Sequence, residues 1–152
     1  MNTTDIELDW EVLPWAHKDR AQVPRQGDLL ATIFAGQQTL MDKYEEIERR
    51  NGAVVVEPEF FGEVDDRKVQ IRLKDLAWRV TEELSEATNC LKNKPWKQTF
   101  VATDVPHFQE EVADALHFFV EFLITAGFTP ETIFKMYFRK HAVNEFRQES
   151  KY

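Results

Sequence analysis

Four acids in this chain occur at spacings that suit metal chemistry. Glu83 and Glu86 are three residues apart, as are Glu111 and Asp114. On a helix, residues three apart share a face. The second pair sits inside "EEVADALHFFVEFLI", where the surrounding positions are apolar and largely aromatic. Carboxylates on such a face are costly unless they are protonated, paired with cations or bound to metal. Advancing about 100° per residue, Glu83 falls at the edge of an apolar stripe near Leu76 and Ala87. Glu86 flanks the stripe and Glu82 points away. Glu111 falls between Phe118 and Phe122, with Asp114 one turn on. Two inward acidic pairs on two helices gather up to four carboxylates. Hard divalent cations, Mg²⁺ above all, take such oxygen ligands and share their coordination with substrate phosphates. Paired metals activate water and neutralise charge in phosphoryl displacement. The competing reading is an acidic edge that is solvated or paired with Arg and Lys.

The elements that must position these acids are legible as helices. The chain has 152 residues, enough for one domain with a real core. Only 5 are glycine, and the apolar segments are long rather than alternating, which favours an all-α fold over a sandwich or barrel. Residues 1–27 carry Pro14, Pro24 and Gly27 with scattered charge and read as an irregular N-terminal arm anchored by Trp10 and Trp15. Residues 28–152 form the helical domain. Asp28 is a candidate N-cap for a helix to about Arg50, ended by Asn51-Gly52. In "AVVVEPEFFGEVDD", Pro58 and Gly62 argue for a loop or short extended segment. Val69, Leu73, Leu76, Val80, Leu84, Ala87 and Leu91 mark a second helix over about Arg67 to Leu91. Pro106 suits the first turn of a third helix ending near Gly127, and "TPE" at Thr129 opens a fourth that runs to about Arg147. The expectation is a bundle of about four to five helices.

Other residues suggest ligand contact. "KNKPWK" sets three lysines around Trp96 just after the first acidic pair, a pattern for phosphate contact and base stacking, or simply a polar helix exit. Lys140, Asn144 and Arg147 lie at i, i+4 and i+7, one helical stripe of two cations and an amide. His117 adjoins the carboxylate face, as a packed histidine or a substrate contact. His17, His107 and His141 show no ligand spacing with each other. Cys90, the single cysteine, excludes an intrachain disulfide and a thiolate zinc site, and reads as packing. No P-loop, GxSxG or HExxH occurs. The formal charge of −8 disfavours non-specific binding to polymeric nucleic acid. No stretch reaches the roughly 18 apolar residues of a membrane span, and the N-terminus lacks a signal pattern. A soluble, cytoplasmic protein is the expectation.

These residues also carry a resemblance. The ExxE and ExxD arrangement resembles the all-α nucleoside triphosphate pyrophosphatase superfamily, which includes MazG proteins and dimeric dUTPases. "EEVADALHFFVEFL" is similar to the "ELVDxxHFxLxx" segment of dimeric dUTPases and of T-even phage dCTP/dUTP pyrophosphatase. "KMYFRKHAVNEFRQESKY" resembles their closing "YxxKNxxNxxRQxxGY", "PWKQ" their "WKxW", and "IFAGQQTLMDKY" their "lfxxQxxLd". The resemblance spans roughly residues 30–152. It implies a Mg²⁺-dependent hydrolase, with Mn²⁺ a possible substitute, that cleaves a deoxynucleoside triphosphate to monophosphate and pyrophosphate. dUTP is the first expected substrate and dCTP the next. It implies Glu83, Glu86, Glu111 and Asp114 as metal ligands, with Glu83 and Glu111 catalytic. Gln38, Trp96 and His117 would lie at the base or deoxyribose. Lys97, Lys140 and Arg147 would meet phosphates, with Asn144 and Tyr152 at the substrate. The long Phe-rich third helix, with few polar positions, is easier to bury in a subunit interface, so a homodimer or higher homo-oligomer is expected, in the host cytoplasm if the protein is phage-encoded. Three positions depart from the pattern: no glycine precedes Tyr152, the second tryptophan of "WKxW" is missing, and Asp42 stands where the family often has asparagine. Two alternatives stay open. One is a MazG-like enzyme of broad or purine specificity. The other is a non-catalytic helical dimer that binds a nucleotide or a partner.

Overall fold

A computed structural model describes residues 27–150. The Trp10, Trp15 and His17 positions of the arm, and Tyr152, lie outside the described residues. Four α-helices follow one another: α1 (Leu29–Arg50), α2 (Arg67–Asn89), α3 (Val105–Thr125) and α4 (Pro130–Glu149). A single 3₁₀ turn, Pro58–Phe60, interrupts the loop between α1 and α2. The all-α expectation holds, and no strand occurs among the described residues. α2 ends at Asn89, two residues before the expected Leu91, and α4 continues two residues past Arg147.

Each helix starts at a side-chain cap that satisfies backbone N–H groups the helix cannot. Asp28 accepts from the Ala31 amide at 3.0 Å. Asp66 accepts from the amides of Lys68 and Val69, and Asp104 from that of His107. Thr129, ahead of Pro130, and Thr132, two residues past it, cap each other reciprocally.

α2 and α3 form the most extensive helix pair, and α1 also lies against α3. Arg72, early in α2, meets Glu121, late in α3, while Glu83, late in α2, meets Glu111, early in α3. The two helices are therefore antiparallel. Phe34 of α1 and Val120, Leu123 and Ile124 of α3 form the core, closed by Leu30, Met41, Phe61, Phe122, Phe128 and Ile133. Val69 and Leu76 of α2 are fully buried. Leu84 and Leu91, expected on the same stripe, are exposed. They lie towards and beyond the end of α2, where the apolar seam gives way to the acidic site.

The α1–α2 loop is tied to the end of α3 by a close backbone approach. The Gly62 N–H donates to the Thr125 carbonyl at 3.0 Å. A Cβ at Gly127 would lie 2.6 Å from the Gly62 Cα, and Gly127 has φ +82°. Both the space and the backbone angle require glycine there.

α4 packs against α1 but buries none of its own residues. Phe134, Met136, Tyr137, Phe138 and Phe146 are all exposed. Along it Tyr137 stacks on His141, while Phe138 meets Phe134 at a tilt and Tyr137 edge to face. Among the described residues no single helix is long and apolar enough to cross a membrane.

Candidate metal and nucleotide site

The antiparallel α2–α3 pair brings Glu83, Glu111 and Asp114 together. One carboxylate oxygen from each lies within 4.8 Å of the others. Glu111 is buried and Glu83 is half-buried. Burial, a hydrogen bond with Glu111 and the charges of Asp114, Glu86 and Glu111 push the Glu83 carboxyl up to about 7. Burial also raises Asp114, with the Glu111 charge adding to it and His117 opposing it. Three acids at this separation repel unless a proton or a cation intervenes. The donor set, all oxygen and all anionic, fits a hard divalent cation such as Mg²⁺.

Glu86 departs from the expected inward position. It is exposed, and it lines a cleft of about 350 Å³ beside the cluster with Asn89, Cys90, Lys92, Asp104 and His107. Its charge still reaches Glu83. Three residues on from Glu83, it lies about 60° round the helix axis from it. Cys90 is buried, as expected for packing.

One contact escaped the sequence reading. His107 Nδ1 lies 3.1 Å from Glu111 Oε1 and 4.0 Å from Glu110. Its signal was the i, i+4 spacing to Glu111 rather than any spacing between histidines.

The loop after α2 is closed by Asn93. Its side chain donates to the Val101 carbonyl at 2.7 Å and accepts from the Val101 amide at 2.8 Å. The loop thus projects Trp96, which is 75% exposed with Lys94 Nζ 5.6 Å from its ring centre. Lys97 lies on the same loop and is exposed. Trp96 is available for stacking rather than packed.

The remaining expected contacts divide. His117 is on α3, one turn past Asp114, and its Nδ1 lies 2.8 Å from Gln37 Oε1. Gln38, the expected base contact, is half-buried and donates to Asp42 at 3.3 Å. Its neighbour Gln37 is the buried one. Lys140, Asn144 and Arg147 are exposed along α4, and none of them is hydrogen-bonded to the acidic cluster.

A second polar group lies deeper. Arg72 is buried and donates to Glu121 at 2.6 Å and to Glu48 at 2.8 Å. Neither Arg72 nor Glu121 was singled out from sequence, because each alone reads as an ordinary helix charge. No family model, curated protein or solved structure matches the chain.

Proposed function

We propose that this protein is a Mg²⁺-dependent hydrolase that cleaves a deoxynucleoside triphosphate, dUTP first and dCTP next, to monophosphate and pyrophosphate. We propose with it membership of the all-α nucleoside triphosphate pyrophosphatase superfamily. The observation that carries the reading is the convergence of Glu83, Glu111 and Asp114 from two helices within 4.8 Å, with a Glu83 carboxyl near 7. A purely structural trio gains nothing from that repulsion, whereas a bound cation would relieve it.

Glu83, Glu111 and Asp114 would hold Mg²⁺, with Glu86 reaching in from the cleft wall. Bound there, the metal supplies charge neutralisation at the phosphates and a more acidic water. Glu83 would accept the proton of the attacking water. His107, with Nδ1 3.1 Å from Glu111 Oε1, would help hold that carboxylate in place. Lys97 meets phosphate and Trp96 stacks on the base. Lys140 and Arg147 stabilise phosphate charge, and Asn144 hydrogen-bonds nearby.

The exposed aromatics of α4 support a homodimer or higher homo-oligomer, because contiguous apolar surface of this kind marks an interaction site. In that assembly the cations of α4 serve a site that one copy does not complete.

The test is product analysis from each deoxynucleoside triphosphate and dUTP, with Mg²⁺ and with EDTA. Monophosphate and pyrophosphate from dUTP or dCTP alone, abolished by EDTA and by Glu111→Ala, is the expected result. Purine turnover favours the MazG-like alternative. No turnover of any substrate sinks the hydrolase reading and leaves the non-catalytic dimer.

A further inference from the structure

We propose that a buried chain, Arg72–Glu121–Gln37, dictates which nitrogen of His117 carries its proton and so makes His117 a hydrogen-bond acceptor towards the bound ligand. Arg72, Glu121 and Gln37 are 6%, 8% and 5% exposed, so water does not interrupt the chain. Arg72 donates to Glu121 Oε1 at 2.6 Å. Glu121 Oε2 accepts from Gln37 Nε2 at 3.4 Å. Gln37 Oε1 faces His117 Nδ1 at 2.8 Å.

The direction of each bond follows from what each group is able to do. A guanidinium only donates and an ionised carboxylate only accepts. Burial pushes the Glu121 carboxyl up, but the Arg72 guanidinium opposes the shift. The Gln37 amide must therefore turn its NH₂ to Glu121 and its carbonyl to His117. A carbonyl only accepts, so Nδ1 bears the hydrogen. In the neutral ring Nε2 is then left with its lone pair. The ring is exposed and stands one turn from Asp114, so that lone pair faces ligand or solvent.

Gln37, Glu121 and Arg72 are thus positioning residues acting through His117. The ligand group they select is a donor, an O–H or N–H of the nucleoside part of the substrate. That last step rests on the nucleotide reading above; the proton position does not.

Reversal of the chain makes the proposal testable. In Glu121→Gln, Arg72 still demands an oxygen, so the new amide turns its NH₂ to Gln37. Gln37 must then offer its carbonyl to that NH₂ and its own NH₂ to His117. His117 Nδ1 becomes the acceptor, and the proton moves to Nε2. The experiment is ¹H–¹⁵N long-range correlation NMR of the full chain with ¹⁵N-histidine, at a pH where the rings are neutral. His117 is assigned by its loss in His117→Asn. Wild type should show the Nδ1–H form and Glu121→Gln the Nε2–H form. Gln37→Leu should lose the preference for Nδ1–H.

An Nε2–H ring in the wild-type protein overturns the proposal, and this outcome needs no variant to fold. An unchanged Nδ1–H ring in folded Glu121→Gln also overturns it. In steady-state assays Glu121→Gln should raise KM about tenfold, since donor then faces donor, with a smaller change in kcat. If the NMR forms are as expected and no nucleotide is hydrolysed, the hydrolase reading fails while the hydrogen-bond chain stands.

Discussion

Replacing Glu83 with glutamine keeps the side chain's shape and removes its charge, which isolates the repulsion in the acidic cluster. In the folded protein the Glu83 carboxyl is raised from 4.5 to about 7. At 1.36 kcal/mol per unit, that shift amounts to about 3 kcal/mol if taken whole. Coulomb's law gives a similar scale. Two charges 4.8 Å apart repel by about 3.5 kcal/mol at an effective dielectric of 20 and about 0.9 in water. The site is partly open, so solvent screening reduces the figure to about 1–2 kcal/mol.

The sign follows from linkage. A carboxyl raised on folding binds its proton more tightly in the native state. Its contribution is fully present below pH 4.5 and is lost as the pH rises through about 7. Glu83→Gln should therefore be more stable than wild type at pH 8.5, by a margin that shrinks towards pH 5. For a chain of this size the margin at pH 8.5 is about 3–6 °C in Tm. Added Mg²⁺ should reverse the order, because the wild-type site gains binding free energy, about 2.7 kcal/mol at 100 times Kd, and the variant gains less. Thermal denaturation followed by circular dichroism over pH 5–8.5, with EDTA or Mg²⁺, reads all of this. Two parallel Tm curves, equally unresponsive to Mg²⁺, would refute both the electrostatic argument and the metal site.

Two further outcomes follow from the fold. Arg72→Met should cost about 3–5 kcal/mol in urea denaturation, because it strands the buried Glu121 carboxylate; Arg72→Met with Glu121→Leu should recover most of that loss. Gly127→Ala should lower stability well beyond Gly52→Ala, measured side by side by thermal melting. Both have positive φ, but only at Gly127 does the new Cβ strike backbone, at 2.6 Å, while Gly52 has open space.

The sequence by itself determined the helices, because their signals are local. Asp28, the Pro106 turn, Thr129 ahead of Pro130, and the Gly52 and Gly127 exits each act within a few residues of the boundary they mark. Periodicity also placed Glu83, Glu111 and Asp114 on facing sides of α2 and α3, since a helix turns by a known angle per residue. Tertiary structure decided what that angle leaves open. Adjacent glutamines differ by about 100°, and only the packing of α1 on α3 selected Gln37 over Gln38 for the interior. Glu86, about 60° round α2 from Glu83, is exposed where Glu83 is half-buried, a difference that packing against other elements makes. The Arg72–Glu121 pair joins residues 49 apart, and neither charge reads as buried until the antiparallel register sets them opposite each other. The exposure of α4 is likewise invisible in its own residues. Whether an apolar side chain is covered depends on a neighbour that lies elsewhere in the chain or in another copy of it.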